Sequence, residues 1–379
     1  MKIWFIITHA VLIITGCTFI YLSTRFAKLS FVKHLSRNKF FSKFVICVGL
    51  ILGLFGIISF AIGFVNAIIC VVYLSMMWIL SDITCYLTKK LTKKTFTYDY
   101  VGLAAAILTI SALSIGWYQN HNVWQTTYNF TTSKDISDLK IAMFADSHIG
   151  TTFNADKFAE HLKNIEKQNP DLLVIVGDYV DDSTTKEDLE KSIEYLGKLK
   201  TKHGIFFVLG NHDKGYHNPI KRGWTEYNLT TELKKNGINI LRDEAILIDN
   251  SFYLIGRKDA SEGKERRGIR KSMDELIENL DKNKYTVVLD HQPTDYQNQA
   301  KSEVDLVLSG HTHGGQLFPF NQIGKWFNIN DFIYGTTQVN KTNFVVTSGI
   351  SDWAIKFKTG VKSEFVIITI KKELTQNKK

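Results

Sequence analysis

The sequence predicts an α/β domain built as a four-layer αββα sandwich of two mixed sheets, preceded by an all-α membrane region, and three observations predict it. Long uncharged apolar runs fill the first 118 residues. From residue 139 onward, short apolar runs alternate with amphipathic stretches in βαβαβ order and then give way to closely spaced strands, the pattern of two packed sheets covered by helices. Five short polar motifs each follow directly on one of those apolar runs.

Residues 3–24 carry no charge, and a helix of that length crosses a hydrocarbon core of ~30 Å. Residues 44–81 are uncharged for 38 residues, and the apolar character continues past Asp82 to Leu87. That is too long for one helix and fits two, at about 44–63 and 66–87, with a turn near Gly63. A fourth span, about 100–118, ends in Trp117-Tyr118, the aromatic pair expected at a membrane interface. Asp82 reads as an interfacial acid rather than a functional intramembrane one. The four cysteines lie in or beside these runs, so neither a disulfide framework nor a zinc-cysteine site is implied.

Of 46 Lys/Arg and 37 Asp/Glu, eleven and two respectively fall in residues 1–124. The formal charge of +9 therefore belongs to the membrane region, and it gives no argument for nucleic acid as a partner. Loop one carries Arg25, Lys28, Lys33, Arg37, Lys39 and Lys43, loop three carries Lys89, Lys90, Lys93 and Lys94, and loop two carries none. By the positive-inside rule, loops one and three are cytoplasmic, and the C-terminal domain is extracytoplasmic. Ile14-Thr15-Gly16-Cys17 competes with this reading because it is similar to a lipoprotein cleavage site. The apolar run nevertheless continues through Leu22 and supplies a full span.

Residues 119–138 are polar, rich in Thr and Asn and without periodicity, and read as a linker. The folded domain covers 139–372, followed by a polar tail, 373–379. Buried strands are predicted at 139–145, 172–176 and 205–209, with a helix at 155–168 capped by Asn154 and another at 187–202. A third helix at 230–236 ends at Gly237, and strands follow at 238–241, 245–248 and 252–255. A basic loop, 257–270, leads to a helix at 272–280 and to strands at 286–289, 305–308, 344–347 and 365–370.

The motifs are Asp146-Ser-His148, Gly177-Asp178, Gly210-Asn211-His212-Asp213, Asp290-His291 and Gly310-His311-Thr312-His313-Gly314-Gly315-Gln316. Ligands of α/β domains gather at the carboxyl ends of strands, so the five motifs share one cleft. Their carboxylates, amide oxygen and imidazoles mix hard oxygen with borderline nitrogen, which suits manganese, iron or zinc better than calcium. There are too many donors for one ion, and two divalent metal ions sharing a carboxylate fit better. His9, His34, His121, His161, His203 and His217 read as structural or solvated.

In this order and spacing the motifs resemble the calcineurin-like metallophosphoesterases, over about 139–370. Ser309 to Gln316 with Asn211-His212-Asp213 is similar to the bacterial membrane-associated branch, whose better-known members hydrolyse phosphate groups on lipid-linked substrates. The resemblance implies the metallophosphoesterase fold, with Asp146, His148, Asp178 and His313 on one metal and Asp178, Asn211, His291 and His311 on the other. It implies a hydroxide bridging the metals as nucleophile, His212 as leaving-group acid or charge stabiliser, and Asp213 orienting His212. Where relatives carry an arginine before the final strand, this chain has Lys356 and Lys358, which would meet a phosphate only as point charges.

The expected protein is a multi-pass phosphohydrolase of the bacterial cytoplasmic membrane. It would cleave a phosphate ester or pyrophosphate on a lipid or lipid-linked substrate at the bilayer. The alternatives are a phosphatase or phosphodiesterase of soluble nucleotides and a non-catalytic scaffold with the same fold.

Overall fold

Long apolar runs that cannot be solvated form helices, and short apolar runs bounded by Gly, Asp and His form strands. The computed structural model describes residues 2–216, 219–262 and 270–373, with the backbone alone for residues 2–8 and 221. The chain divides into two units, Met1–Trp117 with Ala354–Lys356, and Tyr118–Trp353 with Phe357–Lys379.

The helical unit contains α1 (Lys2–Phe26), a short α2 (Ser30–Leu35), α3 (Phe40–Ile62), α4 (Phe64–Thr92) and α5, which runs on from Tyr98 to His121. Four of these are long and apolar enough to cross a membrane: α1 over His9–Phe26, α3, α4 and α5. The break between α3 and α4 falls at Gly63, whose φ of 94° a side chain would resist. Leu22, Ile51, Val71, Trp78, Val101 and Ala105 are buried together. Asp82 is part of a paired cluster. Its carboxylate lies 2.9 Å from Arg25 Nε and accepts from the Tyr21 and Tyr98 hydroxyls at 3.1 Å each. The buried Asn66 side chain donates to the Ala354 carbonyl and accepts from the Lys356 backbone N–H.

The second unit has two six-stranded sheets. The first comprises β1 (Val123–Thr132), β2 (Leu139–Phe144), β3 (Leu172–Val176), β4 (Ile205–Val208), the two-residue β5 (Asn239–Ile240) and β12 (Ser363–Lys372), in the order β1-β12-β2-β3-β4-β5. The second comprises β6 (Glu244–Ile248), β7 (Phe252–Gly256), β8 (Tyr285–Leu289), β9 (Leu306–Ser309), β10 (Gly335–Val339) and β11 (Thr342–Val346), in the order β10-β11-β9-β8-β7-β6. Strands β2 to β5 pair in parallel, as do β7, β8, β9 and β11, while the β12–β2, β6–β7 and β10–β11 pairs are antiparallel.

Alternate side chains explain the layering, because successive residues of a strand face opposite sides. Met143, Val174 and Val208 of the first sheet meet Leu254, Leu289 and Leu308 of the second in a fully buried seam. The opposite face of the first sheet, with Phe144, Ile175 and Phe207, packs on helices Ala155–Glu166 (α6), Lys186–Gly197 (α7) and Glu226–Lys235 (α8). The opposite face of the second, with Val288, Val307 and Phe344, packs on Met273 and Leu276 and on Tyr296 and Ala300 of two short helices. The order is helix, sheet, sheet, helix. Each fully buried Leu, Ile or Phe stabilises it by about 1.5–3 kcal/mol.

The largest departure from the sequence reading is residues 119–138, expected to form a linker. Val123–Thr132 is instead a ten-residue edge strand paired in parallel with β12, from Val123 opposite Ser363 to Thr132 opposite Lys372. The signal was present in Val123, Trp124, Tyr128, Phe130 and four threonines, residues that fit a pleated, half-buried surface. Tyr128 and Phe130 pack against the inter-sheet core. Strand β10, the helix Tyr296–Lys301 and several short helices, Ser30–Leu35 and Ile323–Trp326 among them, were also not predicted. Most of the predicted tail, 374–379, lies outside the described residues.

His161, on α6, is 7% exposed and packs against Phe153, ring centroids 5.2 Å apart and tilted by 59°, with no hydrogen-bond partner for Nε2 among the described residues. Burial pushes its pKa down to about 4 from the ordinary 6.5. Between those values the unfolded chain holds a proton that the folded chain does not, so stability falls as pH drops from 6.5 toward 4. Unfolding free energies of the full chain and His161→Phe should diverge in that window by at most about 1.4 kcal/mol per pH unit and run parallel above pH 7.5. Parallel curves throughout would remove His161 from the acid sensitivity.

Candidate metal centre

The site forms where β2, β3, β4, β8 and β9 end, and it begins with backbone that most residues avoid. Asp146, His148, Asp178, His311 and His313 all have positive φ, between 37° and 71°, a conformation that costs on the order of 1–3 kcal/mol each and persists only when surroundings impose it. Here the surroundings are close-packed loops. A Cβ on Gly177 would meet His291 Nδ1 at 2.4 Å, and one on Gly310 would meet Ala145 Cβ at 2.5 Å.

Two sets of donors converge. Asp146, His148 and His313 form one, Asp178, His291 and His311 the other, and within each set the ligand atoms lie within 4.8 Å of one another. Asp178 belongs to both neighbourhoods, since its Oδ2 is 3.0 Å from His291 Nε2 and 3.9 Å from His148 Nε2. Asn211 directs Nδ2 to the Tyr216 hydroxyl at 3.0 Å, which leaves its buried Oδ1 as a free acceptor among the described residues. The seven residues expected on two metals are thus brought to one place. Asp146, His148, Asp178 and His291 are at most 1% exposed.

The imidazoles are oriented as metal ligands are. His291 Nδ1 lies 2.7 Å from the Val176 carbonyl and donates to it, so Nε2 turns a lone pair toward Asp178. At 3.0 Å from the carboxylate that nitrogen needs a proton or a metal cation between them. His148 has Asp181 3.4 Å behind its Nδ1, and Nε2 again faces the cluster. Burial pushes His311 down to about 4 and His313 well below its ordinary value, so both are neutral and able to coordinate. Burial alone would also lower His148 and His291, but Asp181 and Asp178 respectively outweigh it and raise both. Burial disfavours the charged form of Asp178, yet the His291 and His212 imidazoles hold it well below the usual carboxylate range. These donors fit two divalent cations.

Several partners were not legible in the sequence. Asp181, behind His148, stands three residues after Asp178. Asp290, beside His291, is gripped by Arg257 at 3.0 Å, Arg270 at 2.5 Å and Gln299 at 2.7 Å. The ends of the basic loop therefore brace a ligand from behind; residues 263–269 of that loop lie outside the described residues. His212 is flanked by Tyr216 at 5.1 Å and Trp353 at 5.0 Å. His217 lies outside the described residues.

Two expected roles change. Asp213 does not orient the His212 ring. Its carboxylate accepts from the backbone N–H groups of Asp178, Tyr179, Val180 and Gly210 at 2.7–3.1 Å, which fixes the loop that presents Asp178. Nor is Lys358 turned to a phosphate. It is fully buried, and its ammonium donates to the carbonyls of Ser348, Gly349 and Ser351. Burial pushes its pKa down to about 8, against the opposing charge of Asp352. The loop it braces supports the first ligand, because the Ser351 N–H donates to the Asp146 carbonyl at 3.2 Å.

Residues 139–315 match the family described as calcineurin-like phosphoesterase. An uncharacterised metallophosphoesterase of Campylobacter jejuni is 28% identical over 309 residues, covering 80% of this chain and 78% of that protein. One of Aquifex aeolicus is 38% identical over 184 residues, 48% of this chain and 66% of that protein. A cattle protein described as a transmembrane protein with a metallophosphoesterase domain is 29% identical over 237 residues, 60% of this chain and about half (52%) of its own length.

Asp213→Ala should strip four buried backbone N–H groups of their acceptor and lower stability by roughly 3 kcal/mol or more, with loss of bound metal. His212→Ala should keep both. Melting temperature and metal content by mass spectrometry measure this; an Asp213→Ala protein that retains fold and metal but loses rate would restore the orienting role.

Proposed function

Because the chain carries a calcineurin-like metallophosphoesterase domain and is a metal-dependent phosphoesterase, we propose that it is a membrane-anchored phosphohydrolase with two divalent metal ions, cleaving a phosphate ester or pyrophosphate on a lipid or lipid-linked substrate. The carrying observation is Asp178, whose carboxylate lies between His148 of one donor set and His291 of the other. Asp146, His148, Asp178 and His313 hold one ion, and Asp178, Asn211, His291 and His311 the other. The mixed oxygen and nitrogen donors suit manganese, iron or zinc. Bound there, the pair supplies positive charge for phosphoryl oxygens and makes a nearby water acidic enough to attack at neutral pH.

The chain's own groups do the rest. His212 stands against the first donor set, its ring 5.0 Å from that of His148, where it donates a proton or hydrogen bond to the departing oxygen. Tyr216 and Trp353 wall that ring and limit its rotation. Asp213 holds the Asp178 loop in register, and Arg257 and Arg270 hold Asp290 and with it the backbone of His291.

Four helices long and apolar enough to cross a membrane support anchoring at the surface where lipid phosphates reside. The basic residues of loops one and three support an extracytoplasmic catalytic unit in a bacterial cytoplasmic membrane. Substrate on the outer leaflet follows from that orientation.

Chelation should abolish turnover and manganese or zinc should restore it. Asp178→Asn should lose turnover and metal at both positions, while His212→Ala keeps metal and loses rate by ~10²–10⁴. Full activity in Asp178→Asn would refute the two-metal reading. Activity on free nucleotides without activity on detergent-dispersed lipid phosphates would replace the substrate class.

Orientation is read with reporters fused after Lys379. One that works only when exported should be active, and one that works only in the cytoplasm should be silent. The reverse would move the substrate to the cytoplasmic leaflet.

A further inference from the structure

Between the loop that carries His311 and His313 and strand β10, the chain makes an excursion over residues 317–332. Eight of its sixteen residues are Leu, Ile, Phe or Trp, two are charged (Lys325 and Asp331), and none is buried. Phe318 is 62% exposed, Trp326 67% and Phe327 68%. This is no loose loop. The Phe318 N–H donates to Thr359 Oγ1 at 3.0 Å, Ile329 N–H to the Gly324 carbonyl at 2.8 Å, and Asp331 N–H to the Pro293 carbonyl at 2.9 Å. Thr312, between the two ligand histidines, donates to the Ile333 carbonyl at 2.6 Å. A Cβ on Gly315 would strike the Asn321 backbone at 2.1 Å, so excursion and ligand loop pack as one piece.

An ordered, aromatic, near-neutral surface of this kind marks an interaction site. We infer that Phe318, Trp326 and Phe327 insert into the headgroup and upper acyl region of the bilayer that the chain's own helices cross. Trp and Phe beside a Lys form the composition of membrane-interface segments, and Lys325 has the sign that a lipid phosphate layer attracts. The length of chain fits. α5 ends at His121 and β1 begins at Val123, so a single residue of chain joins a candidate membrane helix to the catalytic fold. Because the excursion is pinned to the ligand loop, its insertion brings the metal centre to the depth at which lipid phosphates lie. The inference rests on the membrane reading of the helices, and the lipid substrate can fail without it.

The full chain is placed in nanodiscs of phosphatidylcholine and phosphatidylglycerol, with and without lipids spin-labelled near the headgroup. The fluorescence that Trp326→Phe removes should be quenched by the labelled lipid and shielded from aqueous iodide. Quenching by iodide alone, or shielding from both quenchers in a disc holding two chains, would overturn the inference. In parallel, Phe318→Ser/Trp326→Ser/Phe327→Ser should lower turnover of a bilayer-embedded lipid phosphate by about tenfold or more as apolar insertion is lost, with turnover of a soluble aryl phosphate unchanged. Equal turnover of the lipid by the triple variant would also overturn it. Lipid quenching of Trp326 with no turnover of any lipid phosphate would leave insertion standing and sink the lipid-substrate reading.

Discussion

The catalytic unit is arranged around one electrostatic problem, the burial of the Asp178 carboxylate among imidazoles and other carboxylates. At most 1% of Asp146, His148, Asp178 and His291 is exposed, and a buried charge survives only when paired, hydrogen-bonded or bound to a cation. The protein supplies part of the answer itself. Asp178 accepts the His212 backbone N–H at 2.8 Å, and Asp213 secures the loop on which Asp178 sits through four backbone hydrogen bonds. What remains without a hydrogen-bond partner among the described residues, the ring nitrogens of His148, His291 Nε2 and the Asn211 amide oxygen, is a donor set of the kind that suits a divalent metal.

That arrangement dictates the rest of the fold near the site. Parallel strands of two sheets must end side by side so that loops from both reach one point, and the inter-sheet seam of Val174, Val208, Leu289 and Leu308 holds those ends in place. The loops are held in left-handed backbone at Asp146, Asp178, His311 and His313. The conformation is imposed by close approach at Gly177, Gly210 and Gly310, where no side chain fits. Strain of this sort is stable only on a rigid base. Lys358, buried under the Ser348–Ser351 turn, and Arg257 with Arg270, clamped on Asp290, belong to that base. Basic residues that look available to a phosphate in the sequence are consumed in holding the ligands still.

Length and charge pattern determined much of this protein without any tertiary information. Four apolar helices follow from uncharged runs and the break at Gly63, because a helix in hydrocarbon must satisfy its own backbone. The alternation of buried strands with amphipathic helices gave the layers, and the strand-end rule located the five motifs; within them, the resemblance to calcineurin-like metallophosphoesterases singled out Asp146, His148, Asp178, Asn211, His291, His311 and His313. Local periodicity and the strand-end rule are properties of consecutive residues.

Tertiary structure alone decided what depends on residues distant in sequence. Val123–Thr132 is a strand because β12, some 240 residues later, offers an unpaired edge; its own polar threonines read as a linker. Asp213 serves the Asp178 backbone rather than the neighbouring His212 ring, since the direction of a side chain from a tight turn is set by packing and not by adjacency. Lys358 became structural because its carbonyl partners lie seven to ten residues upstream in a folded-back turn. The exposed aromatic excursion at 317–332 looks in the sequence like any apolar stretch that should be core. Only the packed fold, already filled by its own Leu, Ile and Val, leaves Trp326 and Phe327 outside.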